Sequence, residues 1–354
     1  MVEVDGSYRE GGGQILRTAL SLSCLFHKPF RIYGIRRGRR KPGLMPQHLT
    51  CVRAAKIITD ARVTGDTVGS MELSFWPGGA KSGKYRFDIG TAGSVSLVLQ
   101  TIIPPLIFSN ASETAVTLTG GTHVPYSPCY HYLEKVFVPA LRLLGIDLEI
   151  SIDAYGFYPK GGGKIRAVIY PGAEIKPLKA EHRGDLLKLS GLSGVGNLPV
   201  SIAERQKEAL LKTLSPALKK IKCSVDIELL DAATIGQGTF AFLLSESVRS
   251  SAGFTSLGAK GKKAEAIGQE AGEEFLAYHS TGAALDPHLA DQIILYLAIC
   301  KNESIFSTSL VTEHLLTNLW VIGLFHRYSY VITGETGKSG IERVNPPVDH
   351  ANPL

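Results

Sequence analysis

The sequence predicts a mixed α/β (α+β) fold of repeated βα units with a smaller α/β domain inserted. Three observations predict it: short β-type runs alternate with amphipathic helical runs, glycine blocks stand at the junctions, and the chain changes character near residue 180. In chain order, Gly11–Gly13 open the helical run Ile15–Leu22, and Gly90–Gly93 open Val95–Gln100. Gly120-Gly121 precede a third helical run, Tyr132–Phe137, and the β-type runs Tyr85–Ile89 and Ala115–Thr119 lie between the glycine blocks. A strand-like stretch at 185–194 is followed by one long helix at 201–220, where Ile202, Ala203, Leu210, Leu211, Leu214 and Leu218 fall near helical spacing. Strand signals return at 224–230 and 240–245, so 180–278 reads as the inserted small domain. Residues 1–179 and 279–340 are then the two pieces of a large domain, with helices at about 286–301 and 311–325 in the second piece. Residues 341–354, with Pro346-Pro347 and Pro353, read as an irregular tail.

Composition bounds the function. Hydrophobic residues make up 44% of the 354 positions and charged residues 20%, which suits a well-filled core. No apolar run reaches the ~18 residues that span a bilayer. Met1–Asp5 shows no basic region followed by an apolar stretch, so no secretory signal is read and the cytoplasm is the expected compartment. The five cysteines are widely spaced and form no CxxC pair, which argues against a structural zinc or a disulfide framework. The net charge of +6 permits a polyanionic partner without requiring one. Five cations are packed into the six residues Arg36–Lys41.

Several short runs can carry chemistry. Gly11–Gly13 open a helix, where free backbone N–H groups and the positive helix end suit an anion. Glu10 beside them can hold a divalent metal, and Arg17, one turn in, can reach a phosphate. The turn Pro42-Gly43-Leu44 presents Arg39 and Arg40 to phosphates, with Gln47 nearby as a neutral donor. Gly334–Ser339 imitates a phosphate loop, but Ile332 stands where that loop needs a glycine and no amphipathic helix follows. His314 shares a helix face with Thr317 and Asn318, and His288, Asp291 and Gln292 repeat the same i, i+3, i+4 geometry.

Taken in order, Glu10–Arg17, Gly38-Arg39 through Gln47-His48-Leu49, Thr91–Gln100, Gly120–Thr122, Gly156–Gly163, His288–Gln292 and His314–Asn318 resemble the RNA 3′-terminal phosphate cyclase family, over about residues 3 to 335. The resemblance implies a large catalytic domain of three βα units, each a four-stranded sheet with two helices. It implies an ATP-dependent reaction assisted by a divalent metal, Mg²⁺ or Mn²⁺. A histidine takes AMP from ATP, passes it to an RNA 3′-phosphate, and the neighbouring 2′-OH then closes a 2′,3′-cyclic phosphate. The matching nucleophile is His314; Glu10, Arg17, Arg39 and Gln47 match the essential polar positions. Gln100, His288, Leu289, Ala290, Asp291 and Gln292 match the nucleotide-binding positions, and Glu10 and Asp291 are the metal candidates. The implied partners are ATP and RNA with a 3′-phosphate, without a membrane, and the family also implies a homodimer. Two positions depart from the family pattern: Tyr155 stands where a basic residue usually precedes the glycine-rich signature, and His288 stands where some members carry a tyrosine.

Two rival readings use the same fold. Cyclase-like ribosome-assembly factors lack the catalytic histidine, which His314 in its motif opposes. An enolpyruvyl transferase would need no adenylated residue and would leave that motif unexplained.

Overall fold

A computed structural model describes residues 1–109, 112–221 and 223–345. The first unit runs β1 (Val2–Asp5), α1 (Gly13–Phe26), β2 (Phe30–Tyr33), α2 (Pro46–Thr59), β3 (Arg62–Thr64) and β4 (Leu73–Trp76). The second runs β5 (Lys84–Asp88), α3 (Val95–Ile107), β6 (Thr114–Gly120), α4 (Tyr130–Tyr132), a π-helical turn (Leu133–Phe137), α5 (Val138–Leu143), β7 (Leu148–Ala154) and β8 (Gly163–Ile169). Next come β9 (Lys179–Ala180), β10 (Leu186–Gly196), α6 (Val200–Ile221), β11 (Val225–Asp231), β12 (Gly238–Ser247), β13 (Ser251–Leu257) and α7 (Ala264–Thr281). The chain closes with α8 (Pro287–Ala298), β14 (Ser304–Thr308), α9 (Glu313–Phe325), β15 (Ser329–Thr333) and β16 (Gly340–Asn345).

Three of the four sheets share one plan. Their orders are β1-β2-β4-β3, β5-β6-β8-β7 and β9-β14-β16-β15. In each, the first two strands are parallel and the rest antiparallel. The parallel pair needs a crossover, and α1 and α3 supply it in the first two units. In the third unit, the crossover from β9 to β14 holds a whole further sheet, β11-β10-β12-β13, before α8. That sheet has its own apolar cluster beneath α6 and α7, including Leu189, Leu210, Leu214, Leu243, Phe254 and Phe275. Phe240 and Phe242 point to the other face of β12 and join the main core, which explains why this strand is buried along nearly its whole length.

The core helix is α1, which packs on α2, α3 and α9 through such buried residues as Ile15, Leu16, Ala19 and Leu20. No helix among the described residues is long and apolar enough to cross a membrane. Two boundaries differ from the sequence reading. α7 runs on to Thr281, past the boundary read at 278, and stops at Gly282, whose φ of 72° is the left-handed cap a glycine supplies without strain. Residues 341–345, read as the start of a tail, are strand β16, with Glu342 and Val344 turned inward between β14 and β15. The remainder of the expected tail, 346–354, lies outside the described residues. The false phosphate loop is the turn joining β15 to β16, where Lys338 pairs with Glu335 at 2.5 Å.

Glu342 is 1% exposed, and neither carboxyl oxygen has a hydrogen-bond partner. Burial, with some help from Asp291, pushes its pKa from 4.5 up to about 8. The folded protein therefore holds a proton that the unfolded chain releases above pH 4.5, so stability is full below that pH and falls as pH rises through about 8. The loss amounts to about 5 kcal/mol at most. Urea unfolding at pH 5 and pH 8.5 is expected to show this decline in the native chain and a much flatter profile in Glu342→Gln. Parallel profiles would contradict it.

Candidate active site

Five helices form a closed ring of contacts, which α1, α2, α3 and α9 meet at their first turns. Gln14 on α1 meets His314 on α9: its Nε2 donates to the His314 carbonyl at 3.0 Å and its Oε1 faces Nδ1. Thr312 caps α9 by accepting from Leu315 N, and its hydroxyl donates to Asp291 Oδ1 on α8 at 2.5 Å. Gln100 of α3 donates to Gln292 of α8 at 2.5 Å. Ser94, the cap of α3, donates its backbone N–H to Gln47 Oε1 of α2 at 2.7 Å. His48 of α2 closes the ring against the α1 turn, where a Cβ on Gly13 would stand 2.1 Å from its Nε2. Only glycine fits there. The α1 and α2 termini lack a capping acid, and converging helix N-termini favour a bound anion.

Charged side chains line this ring. Glu10 Oε2 lies 3.0 Å from His314 Nε2, and its other oxygen pairs with Arg39. The Arg17 guanidinium reaches the Gly13 turn, with no hydrogen-bond partner among the described residues. Arg9 pairs with Glu313 at 2.9 Å and ties the glycine turn to α9 from the outside. Asn318 is buried beneath the site, accepting from Thr18 at 2.8 Å and donating to the Asp291 carbonyl at 2.8 Å. Asp286, fully buried, caps α8 by accepting from the N–H groups of His288 and Leu289. It also accepts from Tyr132 and, at 3.4 Å, from Gly253 N on β13.

The electrostatics follow from this packing. The surrounding protein disfavours the charged form of His314 and holds its pKa below the usual value; the Glu10 carboxylate opposes this, while Arg17, His288 and Arg39 add to it. Burial, with Arg17 and Arg36 nearby, pushes His48 down to about 3, so it stays neutral with Nδ1 accepting from Met45 N. Burial raises Asp291 well above the carboxylate range, aided by Asp286 and Glu10 and opposed by Thr312.

A model of a known family, described as RNA 3′-terminal phosphate cyclase, matches residues 8–332. Proteins named RNA 3′-terminal phosphate cyclase are 43% identical in Methylococcus capsulatus, covering all of this chain and 99% of that protein, and 41% identical in Pyrococcus furiosus, covering 97% and 98%. The chain belongs to the RNA 3′-terminal phosphate cyclase family. For this cyclase-family chain, the ring draws in His314, Glu10, Arg17, Arg39, Gln47, Gln100, Asp291 and Gln292. Leu289 and Ala290 are buried in α8 and shape the wall through packing. His288 is exposed at the α8 start, edge-on to Tyr132 at 6.4 Å. Arg36, one of the basic run, turns back to the carbonyls of Lys41 and Gly43 and braces the loop. Tyr155, the departure in the glycine-rich signature, turns inward, with its hydroxyl 3.2 Å from His131 Nε2.

The sequence reading gave no role to Gln14, Thr312 or Asp286. Gln14 stands three residues before Arg17, a spacing that shares a helix face and was legible. Thr312 and Asp286 each precede a helical run, which is a capping signal; their contacts with Asp291 and Tyr132 have no local signature.

Proposed function

We propose that this chain is an ATP-dependent enzyme that converts an RNA 3′-terminal phosphate into a 2′,3′-cyclic phosphodiester through an adenylated His314. The observation that carries the reading is the setting of His314, where one ring nitrogen faces an amide oxygen and the other a carboxylate. Gln14 gives its amide N–H to the His314 carbonyl, which leaves its oxygen to accept from Nδ1–H. Nε2 is then the nitrogen available for attack. Glu10 lies 3.0 Å from Nε2 and accepts the proton that nitrogen carries when the ring is charged.

Nε2 attacks the α-phosphorus of ATP, pyrophosphate leaves, and the AMP stays on the ring as a phosphoramidate. An oxygen of the RNA 3′-phosphate then attacks the same phosphorus and frees the histidine. The vicinal 2′-OH, held beside its target by the ribose itself, attacks the 3′-phosphorus and expels AMP. Arg17, Arg39 and the helix N-termini offset charge at these crowded phosphates. Gln100, His288 and Gln292 lie on the α3–α8 side of the ring, where the nucleoside part of ATP fits.

A divalent cation suits the donor set. Glu10 and Asp291 offer hard oxygen ligands, and of Asp291 only Oδ1 is engaged, by the Thr312 hydroxyl. No cluster of three His, Cys, Asp or Glu fit for a metal occurs among the described residues. Mg²⁺ or Mn²⁺ takes one or two carboxylates with the rest from phosphates and water. Such a cation, bound there, would polarise phosphoryl oxygens. A homodimer is proposed on the family resemblance.

The test uses an oligoribonucleotide labelled in its 3′-phosphate. With ATP and Mg²⁺ or Mn²⁺, the label is expected to become resistant to phosphatase and to migrate as a cyclic phosphate. A label that stays phosphatase-sensitive under either metal would favour a non-catalytic RNA-binding factor.

A further inference from the structure

The glycine-rich loop 156–163 takes no part in the ring of helix ends. We propose that Tyr158 and Lys160 on this loop, with Tyr126 on the loop beside it, form a platform for the single-stranded RNA that leads to the reacting 3′ end. Tyr158 stacks on a base and Lys160 meets the backbone phosphate. The proposal rests on the RNA-end reading above and adds where the rest of the strand runs.

Position comes first. A Cβ on Gly93 would stand 3.0 Å from Gln47 Cβ, and one on Gly161 would stand 2.9 Å from Thr91 O and Ala92 Cα. The loop therefore sits directly on the stretch that joins Gln47 to α3. On its far side, a Cβ on Gly162 would stand 2.4 Å from Ile235, and one on Gly236 would stand 3.2 Å from Lys160 Cβ. A surface thus runs unbroken from the site, over 91–93 and 158–162, to 235–236.

Rigidity comes next. Phe157 is buried among His123 and Phe240, and Gly161 N donates to its carbonyl at 2.7 Å. The adjoining loop is fixed by the N–H groups of Thr122 and His123, which donate to the Gly156 carbonyl. From this fixed base Tyr158 is 70% exposed and Tyr126 fully exposed. Tyr126 has a φ of 62°, a left-handed backbone that costs a bulky residue of order 1 kcal/mol or more. No intramolecular packing repays that cost, since the ring lies wholly in solvent. A fixed backbone presents the ring at a set place, and base–aromatic stacking works with any sequence.

Charge selects the partner. The loops 119–128, 155–163 and 232–240 contain no Asp or Glu, and the nearest carboxylate on the 89–94 side is Asp88, whose Oδ1 is engaged by the Gly90 N–H at 2.8 Å. Lys160 on the glycine-rich loop is exposed, as are Arg37, Arg40 and Lys41 of the basic run that leads to Gln47. None of these four has an ion-pair partner among the described residues. Exposed rings alone would suit many partners; rings on acid-free loops beside an unpaired lysine suit a flexible polyanion.

The experiment measures binding of a fluorescent single-stranded oligoribonucleotide ending in a 3′-phosphate, without ATP, by anisotropy. Tyr158→Ala is expected to weaken binding about tenfold, and Tyr158→Phe to retain it. Lys160→Ala is expected to lower the salt slope of log K by about 0.7. Covalent labelling of the protein by ATP is expected to be unchanged in all three, since none lies in the ring. Wild-type affinity in Tyr158→Ala, or equal loss with Tyr158→Phe, overturns the platform. Because binding is read without catalysis, absence of cyclic product in the wild type would sink the cyclase reading and leave this measurement able to decide.

Discussion

In Gln14→Leu, formation of the covalent adenylate is expected to fall about 10²-fold, with the KM for ATP little changed. The glutamine holds His314 twice, through the backbone carbonyl and through Nδ1. Leucine keeps the volume and removes both contacts, so the ring loses its tautomer and its aim while the α3 and α8 side, where the nucleotide is proposed to sit, stays in place. A carboxylate in the same position separates the two effects. Gln14→Glu adds a negative charge beside the ring and so raises the His314 pKa. Its adenylation is expected to recover in part at high pH, with the acid limb displaced upward relative to the native chain. Single-turnover labelling across pH 5.5–9 checks this. Labelling of Gln14→Leu at the native rate would show that Gln14 does not position the histidine.

Asp286→Ala is expected to cost about 3 kcal/mol or more, read as a lower urea midpoint at unchanged slope. The carboxylate is fully buried and satisfies two N-terminal N–H groups of α8, the Tyr132 hydroxyl and Gly253 N. Alanine leaves all four donors in a dry interior. Because the same side chain joins α8 to α4 and to β13, the loss also loosens the start of the helix that carries His288, Asp291 and Gln292. A weaker ATP interaction is expected to accompany the lost stability. A midpoint within the error of the native chain would contradict the role assigned to this cap.

The repeated βα plan was legible because its punctuation is local. Gly13 and Gly93 stand where helix starts press against another backbone or side chain, and only the missing Cβ permits it. Three of the four strands of the added sheet were legible from their apolar runs, while β13 and α7 carried no run that was read; the domain boundary set at 278 falls three residues before α7 ends at Thr281. Strand β16 was taken for tail because prolines follow it closely; its partners β14 and β15 are what make it a strand, and pairing is not written locally. In the site, His314, Glu10 and Arg17 stood in recognisable runs. The closing of the ring was not legible, because contacts such as Gln100 with Gln292 join residues 192 positions apart.

The central claim is that His314 carries AMP, and one measurement meets it directly. The purified protein is incubated with α-labelled ATP and Mg²⁺ or Mn²⁺, then denatured and counted. The label is expected to stay with the protein, to survive alkali, to be lost in acid as a phosphoramidate is, and to be absent from His314→Ala. Label that forms equally well on His314→Ala, or that never forms on the native chain with either metal, would contradict the claim.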